Sequence, residues 1–217
     1  MTVTDDLPVI HPLAGCADQA LGGKAQGLAR LIAAGLRVPD GFVIADARDG
    51  VYPAALDDSY QRLGGGRVAV RSSALGEDGG ELSFAGQFAT VLDVEGETAL
   101  RAAIDHCVAS LRSERASAYQ QDRQHHKETA MCVVVQQMVD ARAAGVLFTA
   151  DPVSGRHDRL VIDAVAGLGE ALVSGEASSD HFLLAPDNSV IHRQLAGEQP
   201  VLDQLMLQQL ASEARQA

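Results

Sequence analysis

The chain has 217 residues, 47% of them hydrophobic, with a formal net charge of −12 and only three cysteines. That much apolar material can bury a core, so the chain is globular and not disordered, while the negative charge repels nucleic acid and anionic membrane over most of the surface and argues against a polynucleotide partner. Cys16, Cys107 and Cys132 are too scattered for a disulfide framework or a zinc site; MTVTDDLPVI lacks the basic and apolar regions of a leader, and no run reaches the roughly 18 apolar residues of a membrane span, so a soluble, cytoplasmic chain with no membrane partner is expected.

Residues 25–34 carry Leu28, Leu31 and Ile32 at helical spacing, open on Gly22-Gly23-Lys24 and end at Gly35, so a helix is expected there. A lysine at a helix N-terminus joins backbone amides and the helix dipole in favouring an anion. After two glycines, however, a lysine is more often simply solvated, and the P-loop pattern G-x-x-x-x-G-K-S/T is absent. Val38-Pro39-Asp40-Gly41-Phe42-Val43-Ile44 reads as a turn feeding a short strand. Residues 52–63 form a loop or a short helix, and Gly64-Gly65-Gly66 reads as a hinge.

Val68-Ala69-Val70 is a β-prone run ending in Arg71-Ser72-Ser73, expected to send a guanidinium and two hydroxyls, all phosphate partners, out together at a strand end. Gly76, Gly79 and Gly80 follow, before Ser83-Phe84-Ala85-Gly86-Gln87 leads into a second β-rich run at 89–92. Strand, glycine-rich loop and strand suit a lid over nucleotide phosphates, because glycine lets backbone N–H groups approach an anion closely. An ordinary hairpin has the same signature.

Residues 98–111 place Leu100, Ala103, Ile104, Cys107, Val108 and Leu111 on one helical face, and 114–124 continue or restart that helix. His125 and His126 sit in polar surroundings with no third ligand at metal spacing and read as exposed. Residues 130–139 and 144–149 are apolar runs of strand length. The first is either a core strand or the wall of an adenine pocket, with main-chain groups near Gln136 and Val139 reading the base edge and Met138 packing its face. Asp151 and Glu170 each stand at a strand end or glycine turn, where a structural role explains them as well as a functional one. Strands at 160–163, 181–184 and 190–191 and a closing helix at 202–215 complete the set. Helices and strands mix without the alternation of a doubly wound sheet, which favours α+β subdomains around a cleft. No Ser/His/Asp or Cys/His set is evident.

Taken in order, GGKAQGLARLIAAGLRVPDGF, VAVRSSALGEDGGELSFAGQFATVL, VVVQQMV, AGVLFTADP and AVAGLGEALVSGEASSDHF resemble the ATP-binding domain of the phosphoenolpyruvate synthase and pyruvate phosphate dikinase family, which includes rifampin phosphotransferase. The resemblance runs from about Leu21 to Phe182. It implies an α+β, ATP-grasp-like fold in which two mixed α/β subdomains enclose a nucleotide cleft, truncated here at the C-terminal end. Residues 1–66 would be the helical part of the first subdomain, 67–129 the lid hairpin and following helices, and 130–217 the second, strand-rich subdomain with its C-terminal helix. By motif, Lys24 and Arg71 match the family's phosphate-binding lysine and arginine and would be catalytic, each countering charge that shifts as the β–γ linkage breaks. Gly86 and Thr90 match lid positions touching the phosphates, and Gln136 and Val139 match those around adenine. Gln87, Asp151 and Glu170 are secondary candidates.

The resemblance also implies ATP as cofactor. It implies two partners, in the full-length protein or on another chain: a swivelling histidine-carrying domain that takes the phosphoryl group, and a domain that passes it to pyruvate or another acceptor. Two departures qualify this. Only residues 44–67 fill an interval the family gives to a longer helical segment. The chain also has no Trp and no counterpart of the family's Asp-Ile-Glu-Trp-like stretch, which carries a metal-binding glutamate, or of its Gln-x-Arg-Pro strand. Mg²⁺ is therefore expected to join ATP only when those C-terminal ligands are supplied, and no metal ligand is assigned within the chain. The alternative is a non-catalytic nucleotide-binding or regulatory module.

Overall fold

Helices packed on two antiparallel sheets make the chain an α+β protein in the computed structural model, which describes residues 7–17, 21–74, 89–121 and 131–215. The chain divides into two compact units, Met1–Val139 and Asp140–Ala217.

In the first unit the elements run β1 (Val9–Pro12), α1 (Gly23–Ala33), β2 (Gly41–Ala45), α2 (Leu56–Arg62), β3 (Val68–Ala74), β4 (Thr90–Val94), α3 (Glu97–Gln121) and β5 (Met131–Gln137). The five strands pair in the order β1-β2-β5-β3-β4, each pairing antiparallel. Strand side chains alternate between the two faces of the sheet. Phe42, Ile44, Val68, Val70, Val133 and Val135 point into a core closed by Leu56 and Tyr60 of α2 and by Leu100, Ile104, Cys107 and Val108 of α3. Val43, Ala45, Cys132 and Val134 point the other way, onto Ala25 and Ala29 of α1 and onto Leu13 and Leu21. With both faces covered, β2 and most of β5 are buried, which is why they read as unbroken apolar runs and not as alternating ones.

The face expected for α3 is buried at every position, from Leu100 to Leu111, and the helix runs on unbroken. The inward seam of α1 is Ala25 and Ala29, flanked by Leu28 and Ile32. Leu31, expected inside, is 40% exposed, because two alanines spaced four apart let the helix lie close to the sheet and turn position 31 outward. β1 escaped the sequence reading: it is a short edge strand ending in Pro12, and proline is tolerated only where no ladder donor is required. β5, grouped by sequence order with residues 130–217, is the central strand of the first sheet, since its partners β2 and β3 both precede α3 in the chain.

The glycines at 64–66 form a fixed turn and not the expected hinge. Gly64 and Gly65 have φ of 98° and 62°, and the buried Tyr60 hydroxyl lies 2.8 Å from the Gly65 carbonyl while accepting the Gly96 N–H at 2.8 Å. Tyr60→Phe removes that bridge and should lower stability by about 1–2 kcal/mol, read as a shift in the chemical unfolding midpoint. An unchanged midpoint would leave the turn unanchored by this hydroxyl.

In the second unit, β6 (Ala143–Phe148), β7 (Leu160–Ala166), α4 (Glu170–Val173), β8 (Asp180–Leu184), β9 (Val190–Gln194) and α5 (Gln204–Ala214) follow one another. The strands pair antiparallel in sequence order. Leu160, Ile162, Ala164, Phe182 and Leu184 form a core with Leu202 and with Leu207 and Ala211 of α5. Asp203 caps α5, its carboxylate accepting the Met206 N–H at 2.9 Å. No helix among the described residues is long and apolar enough to cross a membrane.

Candidate functional site

The candidate site is assembled where α1 begins. Gly22 precedes the helix at φ 88°, and a Cβ there would sit 2.7 Å from the Ser73 carbonyl carbon and 2.8 Å from its oxygen, so only glycine allows this approach to β3. The Ser73 hydroxyl accepts the Ala25 N–H at 3.3 Å and donates to the Leu21 carbonyl at 3.2 Å. Lys24, one residue before Ala25, is thereby held beside the end of β3. Arg71 lies two residues before Ser73 on the same strand face, roughly 6.6 Å away along the strand. Thr90 of β4 stands directly across from Arg71, and Val134 of β5 stands across on its other side. Gln136 shares the face through its register partner Ala69. The fold thus brings Arg71, Thr90 and Gln136 to the sheet face on which α1 packs, with Lys24 at the start of that helix.

Arg71 Nε is buried and has no hydrogen-bond partner among the described residues. A buried donor without an acceptor is costly, and a guanidinium is matched best by an anionic oxygen. With the Lys24 ammonium on the neighbouring helix and the exposed Thr90 across the ladder, this donor set fits a phosphate group. The nearby Cys107 thiol is not a nucleophile: burial pushes its pKa up to about 11, although the Ser72 backbone and the Lys24 charge act in the opposite direction.

Several expectations are corrected. Ser72 and Ser73 do not emerge with Arg71 as phosphate partners. Both are fully buried, because successive strand residues face opposite ways: Ser72 Oγ donates to the Ala89 carbonyl at 3.3 Å, and Ser73 is committed to α1. Gln136 is also spent internally, its Nε2 donating to the Pro39 carbonyl at 2.9 Å. Its strand is paired on both sides, and beyond it the Gln137 N–H donates to Asp40 and the Met138 N–H to Arg67. The base-edge role expected of the main chain near Gln136 is therefore not open there, whereas Val139 follows the strand and is 55% exposed. Gly86, Gln87, the glycines at 76, 79 and 80, His125 and His126 lie outside the described residues. A cavity of about 450 Å³ lined by Ile10, Pro12, Phe42, Ser59, Arg62 and Leu63 opens on the α2 side of the sheet, the face opposite Arg71.

In the second unit, Asp151 is a turn former. Its carboxylate accepts the Val153 N–H at 2.9 Å, the Ser154 N–H at 3.3 Å and the Ser154 hydroxyl. The Ser154 hydroxyl first, and the Val153 N–H next, hold its pKa below the usual carboxylate value. A lowered folded pKa adds stability that is present above the unfolded value near 3.9 and is lost as pH falls through the folded one. Thermal unfolding should accordingly weaken less below about pH 4 in Asp151→Asn than in the parent; parallel acid limbs would refute this role. Glu170 is exposed at the first position of the short α4. Among the described residues no group of three His, Cys, Asp or Glu is placed to hold a metal. The sequence reading gave no role to Asp180, a 1% exposed carboxylate bonded to the Ala196 and Val201 N–H groups, or to the pair of His181 Nδ1 and Asp163 Oδ1, 2.8 Å apart. Neither has a motif, since each pairing depends on strand register and loop path.

Residues 51–209 match the family described as pyruvate phosphate dikinase, AMP/ATP-binding domain. Arg71, Thr90, Gln136 and Val139 fall within the match, and Lys24 precedes it. Among curated proteins, the chain is 41% identical to the prodigiosin synthesizing transferase PigC of Serratia marcescens, over 76% of this chain and 22% of that protein. It is 36% identical to the phosphoenolpyruvate synthase of Aeropyrum pernix, over 76% of this chain and 27% of that one. It is 43% identical to the rifampicin phosphotransferase of Streptomyces sviceus, over 75% and 18% respectively. The chain thus spans less than a third of the length of these relatives.

Proposed function

This chain belongs to the pyruvate phosphate dikinase AMP/ATP-binding domain family, and we propose that it is the ATP-binding part of a phosphoenolpyruvate synthase-like phosphotransferase whose phosphate contacts are Lys24 and Arg71. The observation that carries this reading is the buried Arg71 Nε, without a partner among the described residues, on the sheet face where the Lys24 helix packs. Two cations carried by these packed elements would offset phosphate charge, which is the protein's main task in phosphoryl transfer. Gly86 and Thr90 belong to a lid over the phosphates. Val139 lies beside adenine, and Gln136 supports that strand end through Pro39. The fold type proposed for the chain is ATP-grasp-like. In the whole protein, the phosphoryl group passes to a histidine on another domain and then to pyruvate or another acceptor.

Mg²⁺ is not assigned to Asp151, which is committed to its turn, or to Glu170, and joins ATP when further C-terminal acidic ligands are supplied. Calorimetric titration tests the reading. ATP should bind in the micromolar range or weaker, with little dependence on Mg²⁺, and adenosine without phosphates should bind far more weakly. Adenosine binding as tightly as ATP would refute a phosphate site. Steady AMP production by residues 1–217 alone, abolished by Lys24→Ala, would show that the chain holds its own metal ligands.

A further inference from the structure

We infer that Ser73 is the positioning residue that sets Lys24 against Arg71, by capping helix α1 from a neighbouring strand; this rests on the phosphate reading of that pair. A helix ordinarily satisfies its first N–H groups with an oxygen on its own preceding residue. Here that residue is Gly22, which has no side chain, and the helix has no side-chain cap of its own. The Ser73 hydroxyl takes over the task from 48 positions away, accepting the N–H of Ala25, the third helical residue, while donating to the Leu21 carbonyl just before the helix. One hydroxyl therefore grips both sides of the chain entry into α1.

Gly22 is the other half of the clasp. A serine or aspartate at that position would cap the helix on itself, but its Cβ would collide with the Ser73 backbone and push α1 off β3. The sequence forgoes a local cap so that the helix start is fixed to the strand that carries Arg71. Lys24 lies between the two gripped points, Leu21 and Ala25, directly before Ala25, and Arg71 is two residues from the grip on the other element. Ser72 serves the opposite side: its hydroxyl and its N–H both donate to the Ala89 carbonyl, next to Thr90. It leaves the α1 clasp untouched, so it provides a control.

Two readouts test the inference. In Ser73→Ala, hydrogen exchange at the Ala25 amide should accelerate while the amides of Val133 and Val134 in the central strand stay protected. The ATP dissociation constant should rise about three- to tenfold, the effect of one lost hydrogen bond. Combined with Lys24→Ala, Ser73→Ala should add less than a twofold change, because its effect runs through Lys24. Gly22→Ala should speed the same Ala25 amide by prising the clasp open from the other side, and Ser72→Ala should not. Unchanged Ala25 exchange in both Ser73→Ala and Gly22→Ala overturns the clasp. So does an equal loss of ATP affinity with and without Lys24, which would mark Ser73 as a general packing residue. A parent protein that binds ATP, alongside a Ser73→Ala variant that binds it equally well, overturns the positioning role alone; a parent that shows no saturable ATP binding overturns the phosphate reading and this role with it.

Discussion

Arg71→Ala should weaken ATP binding by about 1.5–3 kcal/mol, a factor of roughly 10–150, while leaving the thermal midpoint unchanged or slightly raised. The two halves of that expectation come from the same atom. Arg71 Nε is buried without an acceptor among the described residues, so removing it forfeits no hydrogen bond at that nitrogen to any of them. With a phosphate present the same nitrogen would make a charge-assisted bond, and its loss is then fully felt. Arg71→Lys keeps the charge but not the planar fork, and should recover only part of the affinity. Calorimetry and thermal unfolding on the same samples check both halves. A variant that binds ATP like the parent, or one that unfolds in buffer, contradicts the assignment of Arg71 as a ligand contact.

Asp180→Ala should destabilise the second unit by about 3 kcal/mol, because two backbone N–H groups lose a buried, charged acceptor together. Asp180 begins β8 and is 1% exposed; one carboxylate oxygen accepts the Ala196 N–H at 2.8 Å and the other the Val201 N–H at 2.7 Å. It pins the connection from β9 to α5, and on either side of that connection Leu195 and Leu202 pack into the core shared with Leu207. Domains are stable by only about 5–15 kcal/mol, so such a loss is a large share of the total. Asp180→Asn keeps one acceptor and turns the other toward an N–H as a donor, and should fall between parent and alanine. Urea unfolding followed by far-ultraviolet circular dichroism would show the ranking. An alanine variant as stable as the parent would mean that water replaces the carboxylate at both amides.

Local features were legible in the sequence where one neighbour decides the outcome. The buried stripe of α3 follows from helical periodicity alone, and every residue expected on it is buried. Features set by partners distant in the chain were not. Arg71-Ser72-Ser73 looks like three polar groups leaving a strand together, yet the pleat turns Ser72 toward Ala89 and Ser73 toward α1. Gln136 looks like a polar group closing an apolar strand, but only the fold shows Pro39 within reach of its amide. β5 looks like the start of a new subdomain because a long helix precedes it, and only the pairing order places it at the centre of the first sheet. Phosphate roles for Lys24 and Arg71 came from resemblance in the sequence; the clasp between their elements, a glycine without a cap and a serine that supplies one, became visible only in the packing of α1 on β3.

Hydrogen exchange with and without ATP locates the nucleotide most directly. If the phosphates sit at Lys24 and Arg71, saturating ATP slows exchange at residues 21–26, at the end of β3 and at the start of β4, and the slowing disappears in Arg71→Ala. Protection confined instead to residues 40–42 and 55–63, around the cavity on the opposite face, or no protection in the first unit at ATP concentrations that saturate calorimetry, would contradict the account.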